Sequence, residues 1–148
     1  MEPDHIVLTV QELLFPMDVY LIRHHKRLQQ ALDKLCQLRD ELVPLLKAYD
    51  PHYLRMAIEA SNMVTCGELF LRAAIKRTES RGSHLREDHP DIDNLNWLRW
   101  IILKQHNGNI SVSAEEIPIE IYPMKPEKKK YAHPVARALE DLKNNSPN

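Results

Sequence analysis

The feature that most constrains the fold is a leucine that recurs every seven residues in the first third of the chain. The repeat consists of Leu21, Leu28, Leu35 and Leu42. Seven residues are close to two turns of an α-helix, so these side chains share one face. Such a stripe is typical of a helix that packs against neighbouring helices. The pattern therefore predicts a long helix that begins near Asp18 and bends or ends at Pro44, because a helix interior does not tolerate proline.

A shorter helix is predicted before the leucine repeat. Thr9 and Glu12 have the spacing of a capping box, in which the hydroxyl and the carboxylate each satisfy a free amide at a helix start. Pro16 should end this first helix early, because proline lacks the amide that a helix interior needs.

A third helix is predicted from Pro51 to Ser80. Asp50 should cap it, and proline at the first helical position lacks an amide that would have no partner there. Gly82 stands where a left-handed C-cap would end the helix. Three consecutive helices predict a mainly α fold, with an antiparallel three-helix bundle in residues 1–90.

After residue 90 the pattern changes to one that favours strands. The segment Trp97–Leu103 is aromatic and β-branched, Asn107-Gly108 is a turn signal, and residues 110–113 alternate between apolar and polar. This order predicts a small β-hairpin. We expect residues 91–123 to extend the helical domain with this hairpin.

The remaining residues favour less regular structure. Ile117, Ile119 and Ile121 alternate as in a third strand. Residues 124–148 are predicted to form an extended C-terminal tail, a linker rich in proline and lysine followed by a short helix that starts at Pro134.

The charge balance excludes recognition of nucleic acid through bulk charge. The chain has 20 Lys and Arg against 21 Asp and Glu, a net charge of −1, so no global field attracts a polyanion. Its apolar runs are too short to span a bilayer, and its N-terminus lacks the pattern of a signal peptide. Cys36 and Cys66 have no CxxC spacing and favour buried free thiols in a reducing compartment. We therefore expect no nucleic-acid partner, no membrane insertion and a cytoplasmic location.

The scarcity of glycine excludes the common nucleotide-binding loops. Gly67, Gly82 and Gly108 are the only glycines, and each is isolated. A dinucleotide-binding turn needs several glycines so that its backbone can approach the pyrophosphate, and a P-loop has a similar requirement. The chain should not bind FAD, NAD or ATP by those routes.

The segment 78–90, TESRGSHLREDHP, concentrates charge at the predicted end of the third helix. Arg81 and Arg86 carry planar guanidinium groups that can hold a carboxylate through two hydrogen bonds. The nearby carboxylates are Glu79, Glu87 and Asp88. We interpret the segment as an ion-pair network that fixes the turn and presents a polar docking surface. The alternative is a solvated charged loop, since exposed ion pairs contribute little.

The same segment also offers two catalytic alternatives. His84, Glu87, Asp88 and His89 are of types that bind zinc, but neighbouring loop residues rarely complete a tetrahedral site. A small metal-dependent enzyme would purify with stoichiometric metal. A hydrolase could combine Ser80 or Ser83 with His84 and Asp88. It would need a nucleophile elbow and an oxyanion hole, and the sequence signals neither.

The order of residues in this segment resembles the E-S-R-G-x-H-x-R-x-D-x-P signature of a flavoprotein family. The signature belongs to the C-terminal domain of the succinate dehydrogenase/fumarate reductase flavoprotein superfamily, which includes L-aspartate oxidase and the flavoprotein subunit of adenylylsulfate reductase. The resemblance covers about residues 10–122, with two long helices before the signature and an acidic run and Trp97 after it. His89 departs from the family, which usually has an aromatic residue at this place.

The resemblance implies the C-terminal, spectrin-repeat-like helical domain of an FAD-dependent oxidoreductase. FAD would be bound by an upstream domain, so this chain alone would hold no cofactor and would not be catalytic. The chain would stabilise the flavoprotein and dock the flavin-binding domain or an iron–sulfur subunit that takes part in electron transfer. The implied docking residues are Glu79, Ser80, Arg81, His84, Arg86, Glu87 and Asp88. The complete protein would be cytoplasmic or lie at the cytoplasmic face of a membrane complex.

An alternative is a self-contained helical interaction module with no connection to flavin, including a homo-oligomer formed through the bundle. The two interpretations differ in the surface they require. A docking domain should expose an apolar face rimmed by the arginine-rich segment.

Overall fold

The computed structural model describes residues 1–145 of the chain. This part contains five α-helices and six short strands, joined by turns and irregular segments. The helices are α1 (Pro3–Leu14), α2 (Met17–Tyr20), α3 (His25–Gln37), α4 (Pro51–Lys76) and α5 (Pro134–Asn145). The strands are β1 (Ile22–Arg23), β2 (Leu85–Arg86), β3 (Asp91–Asp93), β4 (Arg99–His106), β5 (Asn109–Glu116) and β6 (Lys130–Ala132). The pair β1–β2 is parallel, whereas β3–β6 and β4–β5 are antiparallel. Within residues 1–145, no helix combines the length and the hydropathy that a membrane span requires.

The apolar core lies between α1, α3 and α4. Ile6 of α1 and both Leu28 and Leu35 of α3 have no exposed surface, and burial of each such side chain stabilises the fold by about 1.5–3 kcal/mol. Gly67 of α4 marks a close approach of these helices. A Cβ added there would lie 2.9 Å from Cδ1 of Leu14 and 3.0 Å from Cδ2 of Leu35. The core therefore packs tightly around the middle of α4.

The prediction of an antiparallel three-helix bundle was wrong. About 53% of the described chain is helical and 20% is strand, in five helices and several small sheets. The leucine helix differs most, because Leu21 precedes β1 and α3 begins only at His25. Beyond Gln37 the chain continues as a π-helical turn over Leu38–Leu42 and a 3₁₀ turn over Val43–Leu45.

Strand β1 interrupts the predicted helix because it pairs with a distant segment. Ile22 and Arg23 lie beside Leu85 and Arg86 in parallel register. The buried Arg23 side chain also donates from Nη2 to the carbonyl of Tyr20 at 2.6 Å. A seven-residue repeat indicates which side chains share a helical face, but it carries no information about pairing with a remote segment. Tertiary contacts of this kind override local helix propensity.

The start of α4 was predicted correctly, but its end was not. The Asp50 carboxylate accepts a hydrogen bond from the Tyr53 amide at 2.8 Å and caps the helix. The helix ends at Lys76 rather than Ser80. Gly82 has a φ of +57°, so it uses the left-handed region, but it does so in the turn that follows the helix and not as its C-cap.

The capping box predicted at Thr9 was also wrong. α1 begins at Pro3, where the missing amide costs nothing. Thr9 lies inside the helix, and its hydroxyl donates to the carbonyl of His5 at 2.8 Å.

The hairpin is present at the predicted turn. Strands β4 and β5 pair from Arg99↔Glu116 to His106↔Asn109. Both turn residues have positive φ, 49° for Asn107 and 78° for Gly108, as a type I′ turn requires. The hairpin packs against the C-terminal part of α4.

The third strand and the extended tail were predicted incorrectly. Ile119–Ile121 form a 3₁₀ turn, because the preceding Pro118 cannot donate to a strand ladder. The chain then returns to the domain, where β6 pairs with β3. The helix predicted at Pro134 is present as α5. The tail prediction also covers residues 146–148, which lie outside the described residues.

Candidate functional site

The segment 78–90 forms a turn that connects the end of α4 with β2 and β3. Arg81 and His84 exchange backbone hydrogen bonds of 2.9 and 3.0 Å across Gly82. This tight turn directs the side chains of the segment back toward the helix ends.

Glu79 is the first centre of the ion-pair network. Its side chain is fully buried. Oε1 accepts from Arg77 Nη1 at 2.5 Å and from Arg81 Nε at 2.8 Å. Oε2 accepts from Arg81 Nη2 and from the Asp93 amide, both at 2.9 Å. One buried carboxylate thus joins the end of α4, the turn and strand β3.

Arg86 is the second centre, with only 1% of its surface exposed. Its Nε and Nη2 donate to the two carboxylate oxygens of Asp88, each at 2.7 Å. Its Nη1 donates to the carbonyls of Ala74 and Arg77 at 2.9 and 3.0 Å. Those carbonyls lie at the C-terminus of α4, where the helix itself offers them no amide partner and a positive charge is favourable. Arg86 therefore caps α4 from outside the helix.

Asp88 extends this link to α3. Its Oδ2 accepts from the amide of His25 at 3.1 Å, at the N-terminus of α3, where a negative charge is favourable. Burial alone would raise the pKa of the Asp88 carboxyl, but the Arg86 guanidinium and the His25 amide outweigh burial and hold that pKa far below its ordinary value. Asp88 remains ionised and connects the two helix ends through Arg86.

Ser80 forms hydrogen bonds with the part of the chain that follows the turn. It is fully buried, and its hydroxyl accepts from the Arg86 amide at 2.8 Å and donates to the His89 carbonyl at 2.9 Å. Its own amide donates to the Asp91 carbonyl at 2.8 Å. The Ser80 hydroxyl is thus used in contacts with the backbone of the returning chain.

His84 lies among arginines and is neutral. Burial lowers the pKa of His84 to about 4, and the charges of Arg23, Arg86 and Arg77 act in the same direction against one backbone hydrogen bond. A guanidinium only donates, so Nδ1 accepts from Arg23 Nη1 and Nε2 donates to the Arg77 carbonyl at 3.1 Å.

Arg81 and Glu87 form the outer part of the segment. The side chain of Arg81 is 38% exposed, and its Nη2 donates to Asn94 Oδ1 at 2.7 Å. Glu87 pairs with Arg27 of α3 at 2.6 Å. The structure therefore brings all seven predicted residues into one network, with Glu79, Ser80 and Arg86 fully inside it.

Two members of the network were missed at the sequence level. Arg23 is 7% exposed, donates to His84 and lies 5.0 Å from the centre of the Phe70 ring. His133 is 5% exposed, and its Nε2 lies 3.2 Å from the carbonyl of Gly82. The one local signal for Arg23 is that it directly follows the apolar run Val19-Tyr-Leu-Ile22. Nothing near His133 in the sequence indicated its contact.

The arrangement offers no metal-binding cluster within residues 1–145. No three His, Cys, Asp or Glu side chains of the described chain lie together in a way that could hold an ion. Of the residues weighed as ligands, His84 accepts from Arg23 and Asp88 holds Arg86.

Comparison with known proteins identifies the family of this chain. The family described as fumarate reductase flavoprotein C-term matches residues 11–131. A fumarate reductase (CoM/CoB) polypeptide from Methanothermobacter marburgensis is 36% identical over 92 residues, which is 60% of this chain and 16% of that protein. The L-aspartate oxidase of Acinetobacter baylyi is 35% identical over 75 residues, 51% of this chain and 13% of that protein. The chain therefore matches only a small part, 13–16%, of these two relatives.

A solved structure has the same fold. A chain of the Mycobacterium smegmatis Sdh1 complex in the apo form superposes with a TM-score of 0.69 and 25% identity, over 83% of this chain and 22% of that chain. The resemblance inferred from the segment 78–90 is confirmed by these matches. The chain belongs to the family of fumarate reductase/succinate dehydrogenase flavoprotein C-terminal domains.

Proposed function

We propose that the chain is a helical accessory domain of an FAD-dependent oxidoreductase of the fumarate reductase/succinate dehydrogenase type. It stabilises the flavoprotein, provides a docking surface for the flavin domain or an iron–sulfur subunit, and is not catalytic alone. The family match and the small share of each relative that the chain spans support this role. The complete protein is cytoplasmic or lies at the cytoplasmic face of a membrane complex.

The observation that carries the proposal is the internal use of the polar groups in the segment 78–90. Glu79, Ser80 and Arg86 are fully buried, and their side chains are hydrogen-bonded to other residues of the chain. Among the described residues, every buried polar side-chain atom has a hydrogen-bond partner. A catalytic group must reach its substrate, and these groups are turned inward. They fix the shape of the domain.

FAD belongs to the remainder of the complete protein in this proposal. Two relatives are named flavoprotein subunits, of fumarate reductase in Haemophilus influenzae and of succinate dehydrogenase in Bacillus subtilis. The three glycines of this chain lie in a helix contact, a turn and a hairpin tip, so they do not form one phosphate-binding loop.

The outer rim of the segment is the part available for docking. Arg81 is 38% exposed and Glu87 29% at the side chain, while the buried members hold these two in place. We assign the rim a polar contact with the partner and the inner members a positioning role.

The test is a calorimetric titration of the 148-residue chain with the separately expressed flavin-bearing portion of its protein. Arg81→Ala should weaken binding by about 10-fold, because it removes a charge from the docking rim. Arg55→Ala is the matched control, since Arg55 is an exposed arginine, 59% at the side chain, near the far end of α4. It should bind like the wild type.

Circular dichroism establishes first that each variant is folded. A folded wild-type chain that does not bind the flavin-bearing portion would contradict the proposal and favour a self-contained interaction module. Equal affinity of the wild type and Arg81→Ala would show that the rim lies outside the interface, although the chain would still be a docking domain.

A further inference from the structure

A cavity of about 290 Å³ lies beside the hairpin, where β1, α4 and the segment 78–90 meet. Its volume is close to the lower end of the range typical of small-molecule sites. We call it the basic cavity, because basic and apolar side chains line it together. The basic ones are Arg23, Arg77 and His84, and the apolar ones include Phe70, Ala73 and Ile101.

Arg23 brings a buried charge to this cavity without a carboxylate to compensate it. Only 7% of the residue is exposed. Its guanidinium donates to the carbonyls of Val19 and Tyr20 at 3.3 and 2.6 Å, and to Nδ1 of the neutral His84. Within residues 1–145, none of the groups that shift the pKa of Arg23 is a carboxylate. An uncompensated charge of this kind is costly to bury.

The two carboxylates inside the network are already used by other arginines. Glu79 accepts from both Arg77 and Arg81, so one negative charge is shared by two positive ones. Asp88 gives both of its oxygens to Arg86. The network therefore has an excess of positive charge, and the buried guanidinium of β1 is the part of it that lines the basic cavity.

Both arginines of the cavity keep donors that a ligand could use. A guanidinium has five N–H donors, and contacts within the described chain use three in Arg23 and three in Arg77. Aromatic rings support both groups, since Phe70 lies 5.0 Å from Arg23 and Trp97 lies 5.1 Å from Arg77. Guanidinium groups held in this way are suited to bind a carboxylate or a phosphate.

A neighbouring cavity shows that the charge is specific to the cavity beside the hairpin. The neighbour, of about 280 Å³, lies between α1 and α4, and Gln11, Met63 and Cys66 are among its uncharged lining residues. Cys66 was expected to be buried, but it is exposed. Phe70 lines both cavities. The two cavities are thus similar in size and share an aromatic side chain, but only one of them is basic.

The apolar lining indicates the kind of anion that fits the basic cavity. Phe70, Ala73 and Ile101 offer hydrocarbon surface, and its removal from water is favourable only if the ligand also has an apolar part. Inorganic phosphate lacks such a part, whereas an organic carboxylate can satisfy the arginines and the apolar side chains at once. Sites for small molecules commonly combine an apolar lining with a few polar groups that fix orientation.

We propose that the basic cavity binds a small organic carboxylate, with its charge at Arg23 and Arg77 and its apolar body against Phe70 and Ile101. The ligand supplies the negative charge that the network lacks. This site adds a small-molecule ligand to the domain and does not depend on the docking role, so the two proposals can fail separately.

The first experiment is a methyl NMR titration of the 148-residue chain with benzoate at constant ionic strength. Benzoate should shift the Ile101 methyl signals in a saturable way and leave the Met63 methyl, which lines the neighbouring cavity, unchanged. Benzamide has the same ring without the charge, and it should bind at least about 10-fold more weakly. Equal affinity for benzoate and benzamide, or no saturable response of Ile101 to benzoate, would overturn the proposal.

Inorganic phosphate separates an organic carboxylate from any anion. Phosphate should bind at least about 10-fold more weakly than benzoate, because it gains nothing from the apolar lining. Phosphate that shifts the Ile101 signals at the same concentration as benzoate would overturn the assignment to an organic carboxylate.

Arg23→Gln removes the uncompensated charge and keeps a side-chain amide that can donate to the backbone. It should weaken benzoate binding by about 10-fold. The matched control is Arg55→Gln, since Arg55 is an exposed arginine near the far end of α4 and should bind benzoate like the wild type. Unchanged affinity in a folded Arg23→Gln chain would overturn the proposal.

Ala73→Leu tests the cavity without changing the network, and it decides the question if Arg23→Gln does not fold. The added methyl groups occupy space in the basic cavity and should weaken benzoate binding by about 10-fold. Ala57→Leu is the matched control, because Ala57 is another half-buried alanine of α4 that does not line the cavity. Thermal melts by circular dichroism establish that both variants are folded. Equal benzoate affinity in the two would overturn the proposal.

Discussion

At the scale of single residues, charge is placed inside the domain and compensated there. Glu79 lies between Arg77 and Arg81, and Arg86 holds Asp88 through two bonds. A buried pair of this kind adds little compared with an apolar pair, but removal of one partner leaves an uncompensated charge and destabilises strongly. These residues therefore determine the conformation of the turn more than they add to the stability of the folded chain.

Glu79→Gln should lower the free energy of unfolding by about 3 kcal/mol, because Arg77 and Arg81 both lose the buried carboxylate that compensates their charge. Urea denaturation of the chain measures the change. Glu59→Gln is the matched control: Glu59 pairs with Arg55 at 2.6 Å, but both side chains are more than half exposed, so the loss should stay within about 0.5 kcal/mol. Equal losses in the two variants would show that the Glu79 pairs are not effectively buried.

His84 should make stability depend on pH above the range where carboxylates titrate. The folded chain holds the pKa of His84 at about 4, below its ordinary value of 6.5. As pH falls through 6.5, the unfolded chain therefore binds a proton that the folded chain does not accept, and stability falls until about pH 4. Between pH 6 and 5 the unfolding free energy should decrease by roughly 1 kcal/mol per unit.

Urea denaturation at several pH values tests this dependence. His84→Gln should show a flatter profile over the same interval, because glutamine has no proton to gain. His106→Gln, which removes an exposed imidazole of the hairpin, should keep the wild-type slope. A His84→Gln profile as steep as that of the wild type would assign the slope to other groups.

At the scale of elements, α4 is the helix on which the domain is assembled. It contacts α1, α3 and the hairpin, and both of its ends are capped by side chains. Asp50 caps its N-terminus, and Arg86 satisfies carbonyls at its C-terminus. The second cap comes from strand β2, outside the helix, so the end of α4 depends on the fold of the turn that follows it.

Asp50→Ala should destabilise the chain by about 1 kcal/mol, the usual value for loss of an N-cap. Thr9→Ala is the informative comparison, because the same sequence rules suggested a cap at Thr9 and the structure has none. It should be neutral or slightly stabilising, since alanine favours a helix interior and loses no cap. Thermal denaturation of both variants measures the difference, and a larger loss in Thr9→Ala would contradict the observed start of α1.

Local patterns predicted the elements whose determinants are local. The hairpin followed from Asn107-Gly108 because two adjacent residues with positive φ define the turn. The start of α4 followed from Asp50-Pro51 for a similar reason. The interruption of the leucine helix by β1 depends on Leu85 and Arg86, far along the chain, and no pattern within a helix can report such a pairing.

The sequence predicted which residues form the candidate site, but not which of them are buried. The charged residues of 78–90 indicated an ion-pair network, and the network exists. The sequence could not show that Glu79 and Arg86 would be fully buried, because their burial depends on α4 ending at Lys76 and on Arg23 and His133 approaching from elsewhere.

At the scale of the whole molecule, the domain combines an apolar core with a polar network at one end of α4. The core lies between α1, α3 and α4, and the network joins the ends of α3 and α4 to the hairpin side of the fold. This organisation gives the chain an apolar core and a polar network that are both formed by its own residues.

The isolated chain should fold cooperatively without FAD. Differential scanning calorimetry should show one transition whose midpoint moves by less than about 2 °C when FAD is added, because a ligand that does not bind the native state cannot stabilise it. Addition of the flavin-bearing portion should raise the midpoint instead. A larger shift with FAD alone would reveal a flavin site in this chain.

The parallel pairing of β1 with β2 has a consequence for the order of folding. The nearby bond between the His25 amide and Asp88 joins residues 63 positions apart. Closing so long a loop costs chain entropy before any contact compensates it, and remote parallel pairing is slow to form. We therefore expect the helices to associate first and the contacts of the segment 78–90 to form last. In stopped-flow measurements, Arg86→Ala should then accelerate unfolding while leaving the refolding rate nearly unchanged.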